Sequence, residues 1–404
     1  MKSKFSSKPY KKIVLSVFII FLISSNIGWI KNRDNFNLRK EPFSYPFMWQ
    51  YDKDAGTFIR MGAFFPEFYK EFENYPFLLL RPAYPTTARL IGEIVSFIIK
   101  PLYVLNAVEK VGIGFIILKI MVYIIGSIAL FKISIRYINY DASLLATLLL
   151  LFHPYSVTSI AKFHTYELQF FIPVIVIYFY LKISNHTNIY YFILFSLLCG
   201  VLSLAKQNYA IIMALFLFLL IIHRDYYKVT LFSGVIVFPT IVWLFYLSLY
   251  DIRFIGFGNH FNKYGHELFL TSNILHSFQK FYNHIFSFFI TVVRFFSIFF
   301  IPFIASVAKN FYMSSINFRN FIFIFICSVW FQSFIFTPLQ LKGRHVADLS
   351  VVVFPIACLY ISQYLDSRYD QKIKIKIYYG IIIIWGLLTL INLVTFPWIS
   401  PFKQ

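Results

Sequence analysis

The sequence predicts an all-α polytopic membrane protein, and three observations carry that prediction. The 404 residues are 59% hydrophobic and only 13% charged, with 52 phenylalanines and 29 tyrosines. A soluble globular chain of ordinary make-up does not hold so much apolar matter. The apolar residues fall in runs near the ~20 residues that cross a hydrocarbon core. About eleven runs can be counted, at 13–30, 111–131, 142–160, 165–181, 189–205, 208–222, 229–249, 286–305, 321–338, 349–365 and 377–396. A membrane β-barrel would instead alternate apolar and polar residues over ~10-residue strands, and no such alternation occurs.

The chain opens with "MKSKFSSKPYKK", five lysines ahead of "IVLSVFIIFLISSNIGWI". A signal peptide also has a basic start, but this apolar stretch is long and lacks a small-x-small cleavage site at its end. The reading is an uncleaved first helix with a cytoplasmic N-terminus. On that orientation the cytoplasmic segments hold 16 Lys+Arg and the short outer segments 5, as the positive-inside rule requires. This asymmetry accounts for part of the formal charge of +20 and leaves no role for nucleic acid.

Acids go the other way. Nine of the 17 Asp+Glu lie in 31–110, the first outer segment, and Glu167, Asp251, Glu267 and Asp348 also face outward. Residues 1–404 read as one integral membrane domain, with 31–110 and about 250–285 as its two long outer segments. Cys199, Cys327 and Cys358 sit inside apolar runs, without disulfide or thiolate–metal spacing.

The first outer segment has its own organisation. "QYDKDAGTFIRMG" gathers Asp52, Lys53, Asp54 and Arg60 in a greasy chain, and it marks a water-facing site at the membrane surface. Asp54 can cap a helix over "AGTFIRMGAFF", because a carboxylate there accepts the first-turn N–H groups. "PEFYKEFEN" offers a short helix with Pro66 near its start. In "RPAYP" the two prolines favour an extended path. From Arg89 onward, Leu90, Ile91, Ile94, Val95, Ile98 and Ile99 recur at helical spacing opposite Arg89, Glu93, Ser96 and Lys100, which predicts an amphipathic helix in the membrane interface.

Several features of this layout resemble the GT-C membrane glycosyltransferases. The likeness is closest to the polyprenyl-phosphate-sugar-dependent branch that includes protein mannosyltransferases and lipid A aminoarabinose transferase. "YDKDAGTFIRMG" stands where that family carries its acidic catalytic motif, and "RPAYPTTARLIG" looks like the arginine–proline stretch before its second loop helix. "HPYSVTSIAKFHTYELQFF" is similar to the segment joining its third and fourth spans. "LSLAKQNYAII" and "LKGRHVADLSVVVFPI" are similar to its later basic turns. The family often pairs its acids directly, whereas Lys53 separates Asp52 from Asp54 here, so the resemblance leaves open which is the base.

The resemblance implies a bacterial-type inner-membrane enzyme working on the extracytoplasmic face. A sugar would pass from a polyprenyl-phosphate donor to a lipid, glycan or protein acceptor. Asp52 or Asp54 would deprotonate the acceptor hydroxyl, and in an extended stretch both would project to one side. Arg81, Lys162, Lys206, Arg344 and His345, all at expected outer ends, are the candidates for the donor phosphate. His164 and Glu167, three apart on one helix face, could hold a divalent metal (Zn, Mg or Mn) with Asp54; His with carboxylate suits Zn or Mn better. Each residue also has a structural reading, since lysine and arginine snorkel at helix ends and Glu167 suits a helix start.

Lys119 and Arg294 lie inside apolar runs, where charges usually face a cavity or partner. They are expected to line a groove for the donor headgroup or to pair with helix carbonyls. His260, His266, His276 and His284 in and after the second outer segment have no ligand spacing, but the aromatics among them suit sugar stacking. Two other classes fit the composition. A polymerase or ligase of the O-antigen kind would put its large outer loop late and lean on Arg and His. A lipid or polysaccharide transporter would show broken helices at matching places in two halves.

Overall fold

The computed structural model describes residues 8–32, 53–65, 81–160, 171–183, 188–206, 209–252, 274–310, 323, 325–327, 329–330 and 346–395. Every regular element among them is helical. In chain order these are α1 (Lys8–Asn32), α2 (Lys53–Ala63), α3 (Ala83–Ile99), α4 (Ala107–Ser134), α5 (Tyr140–Leu151), α6 (Pro154–Ser159) and α7 (Phe171–Ile183). Then follow α8 (Ile189–Ser203), α9 (Tyr209–Ile222), α10 (Tyr226–Leu249), α11 (Ile274–Phe296), α12 (Phe300–Asn310), α13 (Ser350–Asp366) and α14 (Gln371–Thr395). Five stretches are long and apolar enough to cross a membrane: Ala107–Ser134, Tyr226–Leu249, Phe281–Lys309, Ala347–Asp366 and Gln371–Ile391. Four shorter apolar helices accompany them. The chain is therefore a helical integral membrane protein by length and composition.

Burial along α1 shows how the bundle is built. Ile13, Val17 and Ile20 are buried at helical spacing, whereas Leu15, Phe18, Ile19 and Leu22 are exposed. Outward apolar side chains recur on α10 (Val237, Phe238, Ile241, Phe245) and α14 (Ile383, Ile384, Leu387, Ile391). In a membrane protein such a surface meets lipid, which solvates it as well as a core would.

Two apolar runs expected as single spans are interrupted, the second inside a stretch, Phe281–Lys309, that is still long and apolar enough to cross as one. The run 142–160 becomes α5 and the short α6, because Pro154 cannot donate the next helical hydrogen bond. His153 caps the new start: its Nδ1 accepts the Tyr155 N–H at 3.1 Å. The proton is thereby placed on Nε2, which donates to the Phe295 carbonyl at 2.9 Å. The run 286–305 is broken by a 3₁₀ turn at Ser297–Phe299, where Ser297 has φ 49°. Pro302 in the first turn of α12 explains the break, since its ring displaces the carbonyl four residues back.

The first outer segment also departs from expectation. The extended path of "RPAYP" is overturned. Helix α3 starts at Ala83, with Pro82 already in helical backbone at φ −71° and ψ −30°. Pro85 sits in the first turn, whose N–H groups have no intrahelical partner to lose. Helix α3 folds back along α4. The partners Ala88 with Gly114 and Gly92 with Lys110 make the pair an antiparallel hairpin, joined by 100–106. A Cβ on Gly114 would lie 1.7 Å from the Ala88 carbonyl oxygen, and one on Gly92 would lie 1.9 Å from that of Lys110. The two backbones touch, and only glycine permits it. The expected apolar face is real and faces outward, with Leu90 63%, Phe97 82% and Ile98 68% exposed.

Polar contacts sort to two ends. At one end Lys12 donates to Tyr379 Oη at 2.8 Å and Gln371 to Asp141 at 2.8 Å. Asn139 bonds Ser362 at 2.6 Å, and Lys374 pairs with Asp366 at 2.7 Å. The Lys132 ammonium lies over the rings of Tyr10 and Tyr178. Every one of these residues belongs to a segment or helix end read as cytoplasmic. The other end carries α2, the α3–α4 hairpin, the turn after α8 and the turn before α13.

Candidate functional site

Helix α4 sets the height of that second end. Its 28 residues span roughly 42 Å. Asn106 and Glu109 close a capping box at its start: Asn106 Oδ1 accepts the Val108 and Glu109 N–H groups, and Glu109 Oε2 accepts the Asn106 N–H at 2.7 Å. A turn further, Lys110 pairs with Glu93 at 2.8 Å, locking the hairpin. Lys119, the thirteenth residue, is 1% exposed and donates to the Ser159 carbonyl at the end of α6. Tyr123, one turn on, donates to the Ser156 carbonyl at 2.9 Å. The end of α6 thus meets α4 about 18 Å from the hairpin tip. Of the two expectations for Lys119, pairing with a helix carbonyl is what occurs.

Helix α2 packs against the same hairpin. A Cβ on Gly62 would meet Val111 at 2.9 Å and the Pro85 carbonyl at 3.0 Å. Phe58 lies edge-on to Tyr84 with centroids 6.2 Å apart, and Tyr84 packs on Phe115 at 4.7 Å. Arg89 reaches the carbonyls of Gly62 and Phe65 at 3.3 and 3.4 Å, satisfying the end of α2. These contacts run α2 along the α3–α4 hairpin, with Gly62 beside Val111 and Phe58 beside Tyr84. Asp54 is the second residue of α2, not its N-cap, so the picture of two acids on one extended strand fails.

The third component is a junction of distant turns. The Ala83 N–H donates to the Leu204 carbonyl at 3.3 Å, tying the start of α3 to the turn after α8. That turn closes with the Lys206 N–H on the Leu202 carbonyl at 3.1 Å and buries Lys206 to 1% exposure. Within electrostatic reach of Lys206 is Asp348, also 1% exposed, in the 3₁₀ turn Ala347–Leu349 ahead of α13; neither of its carboxylate oxygens accepts a hydrogen bond among the described residues. Arg81, two residues before Ala83, is half-buried beside this junction.

Of the residues expected from sequence, the structure places Arg81 and Lys206 at the junction of α3 with the turn after α8, and Asp54 in the first turn of α2. It adds Asp348 and Lys119. Asp52, Lys162, His164, Glu167, Arg344 and His345 lie outside the described residues. Among the described residues no three His, Cys, Asp or Glu side chains are grouped as metal ligands. Arg294 is exposed near the end of α11 rather than turned toward the site. Asp348 counted only as one outward acid in the sequence; its signal was an acid at the edge of an apolar run, where burial demands a partner. Compared with known proteins, the chain matches no family model and no curated relative.

Proposed function

We propose that the chain is a membrane glycosyltransferase, taking a sugar from a polyprenyl-phosphate donor and passing it to a hydroxyl on the extracytoplasmic side. One observation supports this reading above the others: the buried Lys206 and Asp348, together with Arg81, lie at the end of the bundle that also carries α2 and the α3–α4 hairpin. An anionic lipid headgroup entering from the bilayer would find cations there that are already desolvated, where their attraction for phosphate is strongest.

In the reaction the acceptor oxygen bonds to the sugar's anomeric carbon as the bond from that carbon to the phosphate oxygen breaks. The acceptor proton passes to the carboxylate of Asp54 or Asp52, and the electron pair leaves with polyprenyl phosphate. Lys206 and Arg81 offset the charge that grows on the phosphate. The second end is the extracytoplasmic one on this reading, with the lysine-rich start of α1 in the cytoplasm.

Membranes carrying the Asp52→Asn, Asp54→Asn double variant should transfer labelled sugar at least ~100-fold more slowly than wild type, the usual contribution of a general base. Undiminished transfer would end the mechanism.

A further inference from the structure

Asp348 holds an unfilled demand. Neither carboxylate oxygen accepts a hydrogen bond among the described residues, yet the side chain is 1% exposed and its neighbours Val346, Ala347, Leu349 and Ser350 are buried as well. Buried polar groups in folded proteins are almost always bonded. A carboxylate out of water with its acceptor positions open is among the costliest exceptions. Lys206 lies within electrostatic reach of this carboxylate without occupying its acceptor positions.

Two kinds of occupant satisfy a carboxylate with both oxygens open. A cation needs further ligands, and no such group is assembled among the described residues. A pair of adjacent hydroxyls needs nothing more: two O–H donors side by side match two acceptor oxygens. A sugar ring presents that pair, and the cation beside Asp348 suits the phosphate at the ring's anomeric end.

We propose that Asp348 is a sugar-recognition residue, accepting hydrogen bonds from two vicinal hydroxyls of the lipid-linked donor while Lys206 faces its phosphate. The inference rests on the glycosyltransferase reading and names what that site selects. It predicts discrimination among donors by ring hydroxyls, with the phosphate and lipid contributing affinity common to all.

The test uses the full chain in nanodiscs, with binding of polyprenyl phosphate compared with binding of a panel of polyprenyl-phosphate hexoses and their monodeoxy analogues. For wild type, removing either member of one adjacent hydroxyl pair should weaken binding roughly tenfold to a hundredfold, as expected for hydrogen bonds to a charged group. In Asp348→Asn that discrimination should largely vanish, with affinity for polyprenyl phosphate retained. Wild-type discrimination persisting in Asp348→Asn overturns the role of Asp348 and leaves glycosyl transfer standing. If wild type binds no sugar-bearing lipid better than polyprenyl phosphate, the broader reading falls and takes this one with it. Should Asp348→Asn fail to fold, the wild-type series alone decides: no adjacent pair of required hydroxyls refutes the proposal.

Discussion

Replacing Gly114 by alanine should unseat the outer site without touching any charged residue. Its added Cβ would lie 1.7 Å from the Ala88 carbonyl oxygen, whereas ordinary contact begins at 3.4 Å. The obstacle is backbone on a packed helix, so no side chain can swing away. Helices α3 and α4 must therefore part by about 1.5 Å or more, a misfit of the size that costs ~1–3 kcal/mol when methyl groups are forced into packed cores. The Ala83–Leu204 hydrogen bond is already 3.3 Å long and is the first link to fail. With it Arg81 moves away from Lys206. The assay is thermal inactivation in detergent followed by size exclusion, together with binding of polyprenyl phosphate. Gly114→Ala should lower the apparent Tm by on the order of a few degrees and weaken binding. Gly234→Ala and Gly380→Ala supply the control, because nothing lies within 4 Å of a Cβ at either position. Those two variants should be neutral or slightly stabilising, as alanine is the better helix former. If Gly114→Ala is as stable and as competent as Gly234→Ala, the backbone contact is not what holds α3 in place.

Other expectations follow from the same geometry. Lys206→Met and Asp348→Asn, made singly and together, should be non-additive in thermal melts, the double variant losing less than the sum of the single ones by roughly 0.5–3 kcal/mol; strictly additive effects would show that the two do not interact. At the start of α10, Asp225 caps through its bond to the Lys228 N–H and pairs with Lys228 Nζ at 2.7 Å, and the Lys228 side-chain hydrogen bond holds its pKa below the ordinary 3.8. Its folded pKa is the depressed one, so the stabilisation is present above pH 3.8 and is lost as pH falls through the lower folded value. Asp225→Ala should cost ~0.5–2 kcal/mol near neutrality and flatten that acid limb of the stability profile, whereas an unchanged acid limb would refute the pairing. Cysteines placed at Leu102, which is 89% exposed on the hairpin tip, and at Ser367 in the opposite turn should react with impermeant thiol reagents from opposite sides of the membrane. Cys327, the exposed native thiol, is first changed to serine. Labelling of both from one side would break the two-end assignment.

What sequence reasoning could see is local. Runs such as 229–249 and 377–396 became α10 and α14 because twenty apolar residues dictate a helix in lipid whatever surrounds them. The segregation of Lys12, Lys132 and Lys374 from Arg81 and Lys206 was equally visible, since charge side is set loop by loop. Proline breaks at Pro154 and Pro302 were in view as well, but hydropathy averages across them and the runs were read through. The small-residue spacing Ala88 to Gly92 was also in view, hidden because the apolar stripe of Leu90, Ile94 and Ile98 beside it drew the reading toward a membrane surface. Those apolar residues do face outward; it is the glycine side that decides where the helix sits.

The encounter of Lys206 with Asp348 could not be read at all, because no periodicity links a turn after α8 to a turn before α13. Each alone looks like an ordinary charge at a helix end, free to reach water. Burial changes their meaning. Lys119 lies about 18 Å along α4 from the tip of the α3–α4 hairpin. A lysine amid that apolar run is tolerated because its buried ammonium donates to the Ser159 carbonyl. The hairpin's outward face, with Phe97 and Leu102 more than 80% exposed, is apolar and suits contact with lipid rather than water.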